Sequence, residues 1–159
     1  MIPVNSTIQE KESEMALSEL QNPLFIIWAF TFQIILILHF AVRRLALDTA
    51  LRYGWIVYTL GLVAALVSIQ QILRGESWSF WVGGFLYLIW AVFGLLVEYH
   101  FKISWRSPIN WAIFAPYVLL YLGTVMFYWW PLGLINKGLW YGYAVLFVIS
   151  TWLNVSSHS

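Results

Sequence analysis

The chain contains no cysteine and few charges, 9% of its residues against 62% hydrophobic ones. Without cysteine there are no disulfides, thiolate nucleophiles, iron–sulfur clusters or thiolate zinc sites. A formal net charge of +1 gives no electrostatic drive toward nucleic acid, and the basic residues fall beside helix ends rather than on an extended face. Nucleic-acid binding is therefore excluded. The third scarcity is the most telling, because Asp, Glu, Lys and Arg are missing from the interiors of the apolar runs. A proton-coupled transporter, an ion pump or an intramembrane hydrolase would carry such groups there, and no catalytic or transport motif takes their place.

What is present is apolar and aromatic sequence from Asn22 onward, interrupted by short charged clusters about one bilayer thickness apart. A mean hydropathy of +0.78 lies well outside the range of soluble domains. Hydrocarbon offers no hydrogen bonds to an exposed backbone, so these runs must be helices. The expected fold is an all-α polytopic membrane protein, a bundle of five transmembrane helices over residues 22–156, preceded by an acidic arm over residues 1–21. With 159 residues there is room for about five spans, short loops and one tail, so no separate soluble domain is expected. The arm carries Glu10, Glu12, Glu14 and Glu19 against Lys11, which anionic headgroups would repel. It has no basic n-region, and no small-residue cleavage site follows, so the first helix is expected to be retained.

The spans are placed at about 23–41, 52–73, 80–99, 108–130 and 139–155. Asn22-Pro23 and Ser107-Pro108 each read as a cap followed by proline at the first helical position. Arg43 and Arg44 stop the first helix, Asp48 caps the second, and Pro131 ends the fourth. Arg43, Arg44, Arg52, Lys102 and Arg106 lie on one side, against Lys11, Arg74 and Lys137 on the other. The positive-inside rule then puts the N-terminus outside and the C-terminus in the cytoplasm.

Candidate sites are few. His39, His100 and His158 fall at the same end of helices one, three and five, so His39 and His100 are candidate axial ligands of a b-type haem. The competing reading makes them interfacial residues that interact with helix C-terminal dipoles. His158, in a Ser-rich tail, is a poor ligand, and no metal site is assigned. Arg43, Arg44 and Arg106 are candidates for a lipid headgroup, or for pairing of Arg43 or Arg44 with Glu98; boundary marking is the plainer account.

Tryptophan numbers 11, mostly at helix ends as interfacial belts require. Trp90, Tyr87, Tyr58 and Tyr121 lie nearer mid-span, where an indole or phenol needs a partner. With Gln33 they are candidate ligand-binding residues for a flat lipophilic molecule such as a sterol, quinone, carotenoid or tetrapyrrole, and helix packing is the alternative. Pro116 should kink helix four beside Tyr117 and Tyr121. Gly61/Ala65 and Gly138-x-x-x-Gly142 are small-residue faces for close helix approach.

These features favour a non-enzymatic membrane module, an accessory subunit of a larger complex or a homo-oligomer, whose partners are membrane lipids and other integral subunits or itself. The alternative is a binding protein for a lipophilic ligand or pigment. A third reading, an interfacial lipid-modifying enzyme using Glu98 and His100, suffers because residues at i, i+2 point to different faces of a helix.

Overall fold

The computed structural model describes residues 22–103 and 108–156. It is an all-α bundle with five helices long and apolar enough to cross a membrane, and the chain is accordingly a multi-pass integral membrane protein. Helix α1 is Pro23–Leu45, a short α2 is Leu47–Tyr53, and α3 is Trp55–Leu73. A single 3₁₀ turn, Trp78–Phe80, leads into α4, Val82–Leu95, which continues as a π-helical turn over Leu96–His100. Helices α5, Trp111–Ile135, and α6, Lys137–Ser156, complete the chain.

The long helices form a ring in which each packs on its chain neighbour and α6 returns to α1. Hydrogen bonds at the two ends show the up-and-down arrangement. Asn22 Nδ2 donates to Glu76 Oε2 (3.0 Å), joining the start of α1 to the loop after α3. At the other end, called here the basic end, Arg44 Nη1 donates to Ser156 Oγ (3.3 Å) and its guanidinium lies 5.0 Å from the Trp152 ring centroid, tying α1 to α6.

Several boundaries differ from those read in the sequence. Arg43 and Arg44 do not stop α1, which runs to Leu45, because a helix leaving the hydrocarbon can continue through the interface with its charges in water. Asp48 lies in the first turn of α2 rather than at its cap, and Gly54, in right-handed helical conformation, joins α2 to the second span. Asn22 occupies the N-cap position of α1 without capping it, its side chain being committed to Glu76. The fourth span starts at Trp111, not at residue 108, with Asn110 Oδ1 accepting from Ala112 N (3.2 Å); Ser107 lies outside the described residues. Pro131 does not end that helix, which continues to Ile135. Pro131 costs the helix one N–H and crowds the Phe127 carbonyl, but Leu132 in the next position is fully buried, so core packing outweighs that cost and the preference of the residue before proline for extended backbone.

The core is aromatic. Phe32 packs on Tyr87 and Tyr128 at centroid distances of 4.8 and 5.1 Å, and Phe25 stands edge-on to Phe80 at 5.1 Å. Their polar tips are satisfied across helices, with Trp28 Nε1 donating to Tyr128 Oη (2.8 Å) and Tyr87 Oη donating to the Val57 carbonyl (2.6 Å). Small residues decide how closely α3 and α4 approach. A methyl placed on Gly61 would stand 2.7 Å from Ala91 Cβ, and one on Gly84 would overlap Ser68 Oγ and lie 2.5 Å from the Ala64 carbonyl oxygen. The Gly61 face is thus consumed inside the bundle.

Gly84→Ala should lower stability by about 1–3 kcal/mol, since the conflict is with backbone. Gly123→Ala, whose new methyl meets only Leu86 Cδ1 at 3.6 Å, should be near neutral. Equilibrium unfolding in mixed detergent micelles separates the two.

Candidate functional site

At the basic end the ring of helices encloses a cavity of about 570 Å³. Helix α1 contributes His39, Phe40 and Arg43, α3 contributes Val57 and Tyr58, and α4 contributes Trp90. The opposite wall comes from α5, with Phe114, Tyr117, Val118, Tyr121 and Leu122, and from α6, with Phe147, Thr151, Asn154 and Val155. On α5 and α6 these positions recur every three or four residues, so each helix presents one face to the space. Ile109, 50% exposed, and Val155, 69% exposed, mark the mouth. The α5 wall begins one turn around Pro116, whose missing N–H leaves the Ala112 carbonyl without its intrahelical partner.

Inside, the wall is a cluster of mutually tilted rings. Trp90 contacts Tyr58 (5.4 Å), Tyr117 (5.4 Å) and Tyr121 (5.9 Å) between centroids. Tyr58 Oη donates to Glu98 Oε2 (2.9 Å) and lies 3.1 Å from Tyr117 Oη. With the Tyr58 proton directed to the carboxylate, Tyr117 is the donor in the second contact, and the three groups form one directed chain. Two local features make this possible. The π-helical turn Leu96–His100, closed by Phe101 N to Leu96 O (2.8 Å), adds a residue to one turn and sets Glu98 against α3. Gly94 leaves room for the Tyr58 ring, since a methyl there would stand 2.5 Å from Tyr58 Cε1.

Trp90 Nε1 and Tyr121 Oη, on residues that line the cavity, are buried without a hydrogen-bond partner. Trp90 is 3% exposed. The Tyr121 hydroxyl lies toward Ser150 Oγ without a hydrogen bond of ordinary length; Ser150 already accepts from Gln33 Nε2 (2.6 Å) and donates to the Phe147 carbonyl (2.9 Å). In a low-dielectric interior an unmatched donor is costly, typically about 1–3 kcal/mol.

The structure distributes the sequence candidates unevenly. Trp90, Tyr58 and Tyr121 line the cavity, with His39 and Arg43 nearer its mouth. Tyr87 and Gln33 do not; both are fully buried in the bundle core, bonded to Val57 and Ser150. His39 and His100 are not brought to one cavity. His39 is half-buried with Cε1 beside Gly54, whereas His100 is exposed with its ring 4.7 Å from that of Phe101. Among the described residues no three His, Asp or Glu side chains gather as a metal site would need. Arg44 is turned to α6 rather than toward the cavity, and Arg106 and His158 lie outside the described residues. Glu98 faces Tyr58 while His100 stays exposed, so the pair does not converge on one point.

The sequence reading did not place Phe147, Thr151 and Asn154 in a site. Their i, i+4, i+7 spacing is a one-face pattern, but α6 is apolar or aromatic on its other faces too, so nothing singled it out. Comparison with protein-family models, with curated proteins and with solved structures gave no match.

Tyr58→Phe removes the donor from a part-buried carboxylate and should destabilise the protein by about 1–3 kcal/mol. Glu98→Gln, which keeps an acceptor oxygen, should cost less; thermal unfolding in detergent followed by circular dichroism ranks them.

Proposed function

We propose that the protein is a membrane-embedded binding protein, not an enzyme, and that it holds one small lipophilic molecule in the cavity at the basic end. The observation that carries this reading is an aromatic-walled space of about 570 Å³ inside the bundle, lined by Tyr58, Trp90, Tyr117 and Tyr121. The volume falls in the range of small-molecule sites, and an apolar lining with a few placed polar groups is how such sites are built. Charged side chains stay at the mouth, where Arg43 and His39 would meet the headgroup region. On the positive-inside count the basic end faces the cytoplasm and the ligand enters from that leaflet.

A second reading, a subunit that packs on another membrane helix, is favoured by α6. Only 11% of its apolar stretch is enclosed by the protein, against 33–39% for the other spans. Tyr141, Val145, Val148 and Trp152 form its outward face, all at least 60% exposed. Lipid alone covers such a face adequately, so this reading stands behind the first.

Native mass spectrometry of protein extracted from its own membranes in mild detergent should show a one-to-one mass excess. Val118→Trp, which fills the cavity from α5, should remove that excess while shifting the melting temperature by only a few degrees. Wild-type protein that carries no molecule, and takes none up from a total lipid extract, would rule the reading out. For the second reading, the natural absence of cysteine makes Val148→Cys a clean reporter. A copper-phenanthroline cross-linked dimer in native membranes would place a second copy against α6; only monomer would exclude self-association through that face.

A further inference from the structure

On the reading that the cavity is a binding site, the way polar and apolar side chains are distributed along its wall selects the occupant. Tyrosine hydroxyls aside, the hydrogen-bonding side chains that line it are His39 and Arg43, one turn apart on α1, and Thr151 and Asn154, nearly one turn apart on the neighbouring α6. All four belong to the basic end. Toward the bundle centre the wall is aromatic and aliphatic, with Trp90, Tyr121, Leu122 and Phe147. The cavity is therefore amphiphilic along its length.

That length matches one leaflet. Pro23 to Arg43 is about 30 Å of helix, one hydrocarbon thickness, so Arg43 stands at the basic-end interface. Trp111 to Tyr121 is about 15 Å, half that thickness, which puts the inner end of the cavity near the bilayer midplane. A molecule with its polar head at Arg43 and its apolar body ending near Tyr121 has the dimensions of a lipid lying at its ordinary depth.

The lining also has one sign of charge. Arg43 is half-buried, and no Asp or Glu among the described residues lines the cavity. Glu98 stands behind Tyr58, whose hydroxyl donates to it. A guanidinium stays charged and carries five donors, so the contacts Arg43 makes within the protein do not exhaust it, and an oxyanion is the partner it bonds most strongly.

Access is from the side. Near their connection α5 and α6 are tied by Trp129, whose ring stacks on Trp140 at 5.0 Å and whose Nε1 donates to the Trp140 carbonyl (3.0 Å). Toward the basic end the cavity comes between them, and Leu122 on α5 and Thr151 and Val155 on α6 both line it and are exposed.

We propose that the cavity takes one acyl chain of an anionic phospholipid, drawn from the basic-end leaflet through the gap between α5 and α6, with the phosphate on Arg43, His39 and Asn154. A free fatty acid offers the same chemistry, an oxyanion on an acyl chain, but the side opening suits a phospholipid, whose second chain stays in the bilayer. On the positive-inside count this leaflet is the cytoplasmic one, where anionic lipids concentrate.

Native mass spectrometry of delipidated protein in a mild non-ionic detergent, titrated with dioleoyl phosphatidate, dioleoylglycerol or oleate, tests this. Phosphatidate should form a one-to-one complex about tenfold tighter than dioleoylglycerol, which lacks only the phosphate; that is the worth of one charge-assisted hydrogen bond. Arg43→Gln should erase this preference and leave dioleoylglycerol binding nearly unchanged. Arg43→Lys, which keeps the charge without the fork, should reduce the preference part-way and serves if Arg43→Gln does not fold. Tight binding of oleate with none of phosphatidate would overturn the phospholipid assignment and the side opening. Equal affinity for phosphatidate and dioleoylglycerol, or a preference that Arg43→Gln leaves intact, would overturn the headgroup proposal while the cavity stays a binding site. Complexes that persist in Val118→Trp lie on the outer surface, and then, as when no lipid binds, the cavity reading falls too.

Discussion

Hydrocarbon gives no hydrogen bonds, and the rest of this bundle follows from that constraint. Backbone groups are satisfied by helix formation, which is why five long helices account for nearly all of the described chain. Side-chain polar groups inside the spans must then find one another across helices. Gln33 reaches Ser150, Trp28 reaches Tyr128, and Tyr87 takes the Val57 carbonyl. The first two join α1 to the last two helices and the third joins the consecutive α3 and α4, so the bonds that solve the polar problem also set which helix lies beside which.

That solution leaves some polar atoms unmatched, Gln71 Nε2 and Tyr143 Oη away from the cavity as well as Trp90 Nε1 and Tyr121 Oη beside it. The cavity wall carries a directed chain from Tyr117 through Tyr58 to Glu98. The same low dielectric that makes a matched bond strong makes an unmatched donor costly. The device that holds the wall in place is local. A π-helical turn sets Glu98 against α3, and Gly94 lets the Tyr58 ring come close to α4.

Aromatic side chains serve two roles that composition does not separate. Phe25, Phe32, Tyr87 and Tyr128 fill the bundle centre with paired rings and bonded hydroxyls, a packed core in which no ligand is needed. Tyr58, Trp90, Tyr117 and Tyr121 belong to the same aromatic excess but border a space rather than each other on every side. Tyr87 and Trp90 are three residues apart on one helix with rings 5.7 Å apart, yet only Trp90 lines the cavity.

The number of spans, their apolar character and the grouping of Arg43, Arg44, Arg52 and Lys102 at one end were legible from the sequence, because helix length and hydropathy are set by bilayer thickness alone. That mid-span aromatics need partners was legible for the same reason. The continuation of α5 through Pro131, the π-helical turn at Leu96 and the absorption of Tyr87 and Gln33 into the core were not, since each depends on packing against another helix. Helices that are apolar on every face carry no moment to say which side faces inward. Only the tertiary structure decided that Trp90, Tyr58 and Tyr121 share one cavity with His39 at its rim, while His100 remains outside it.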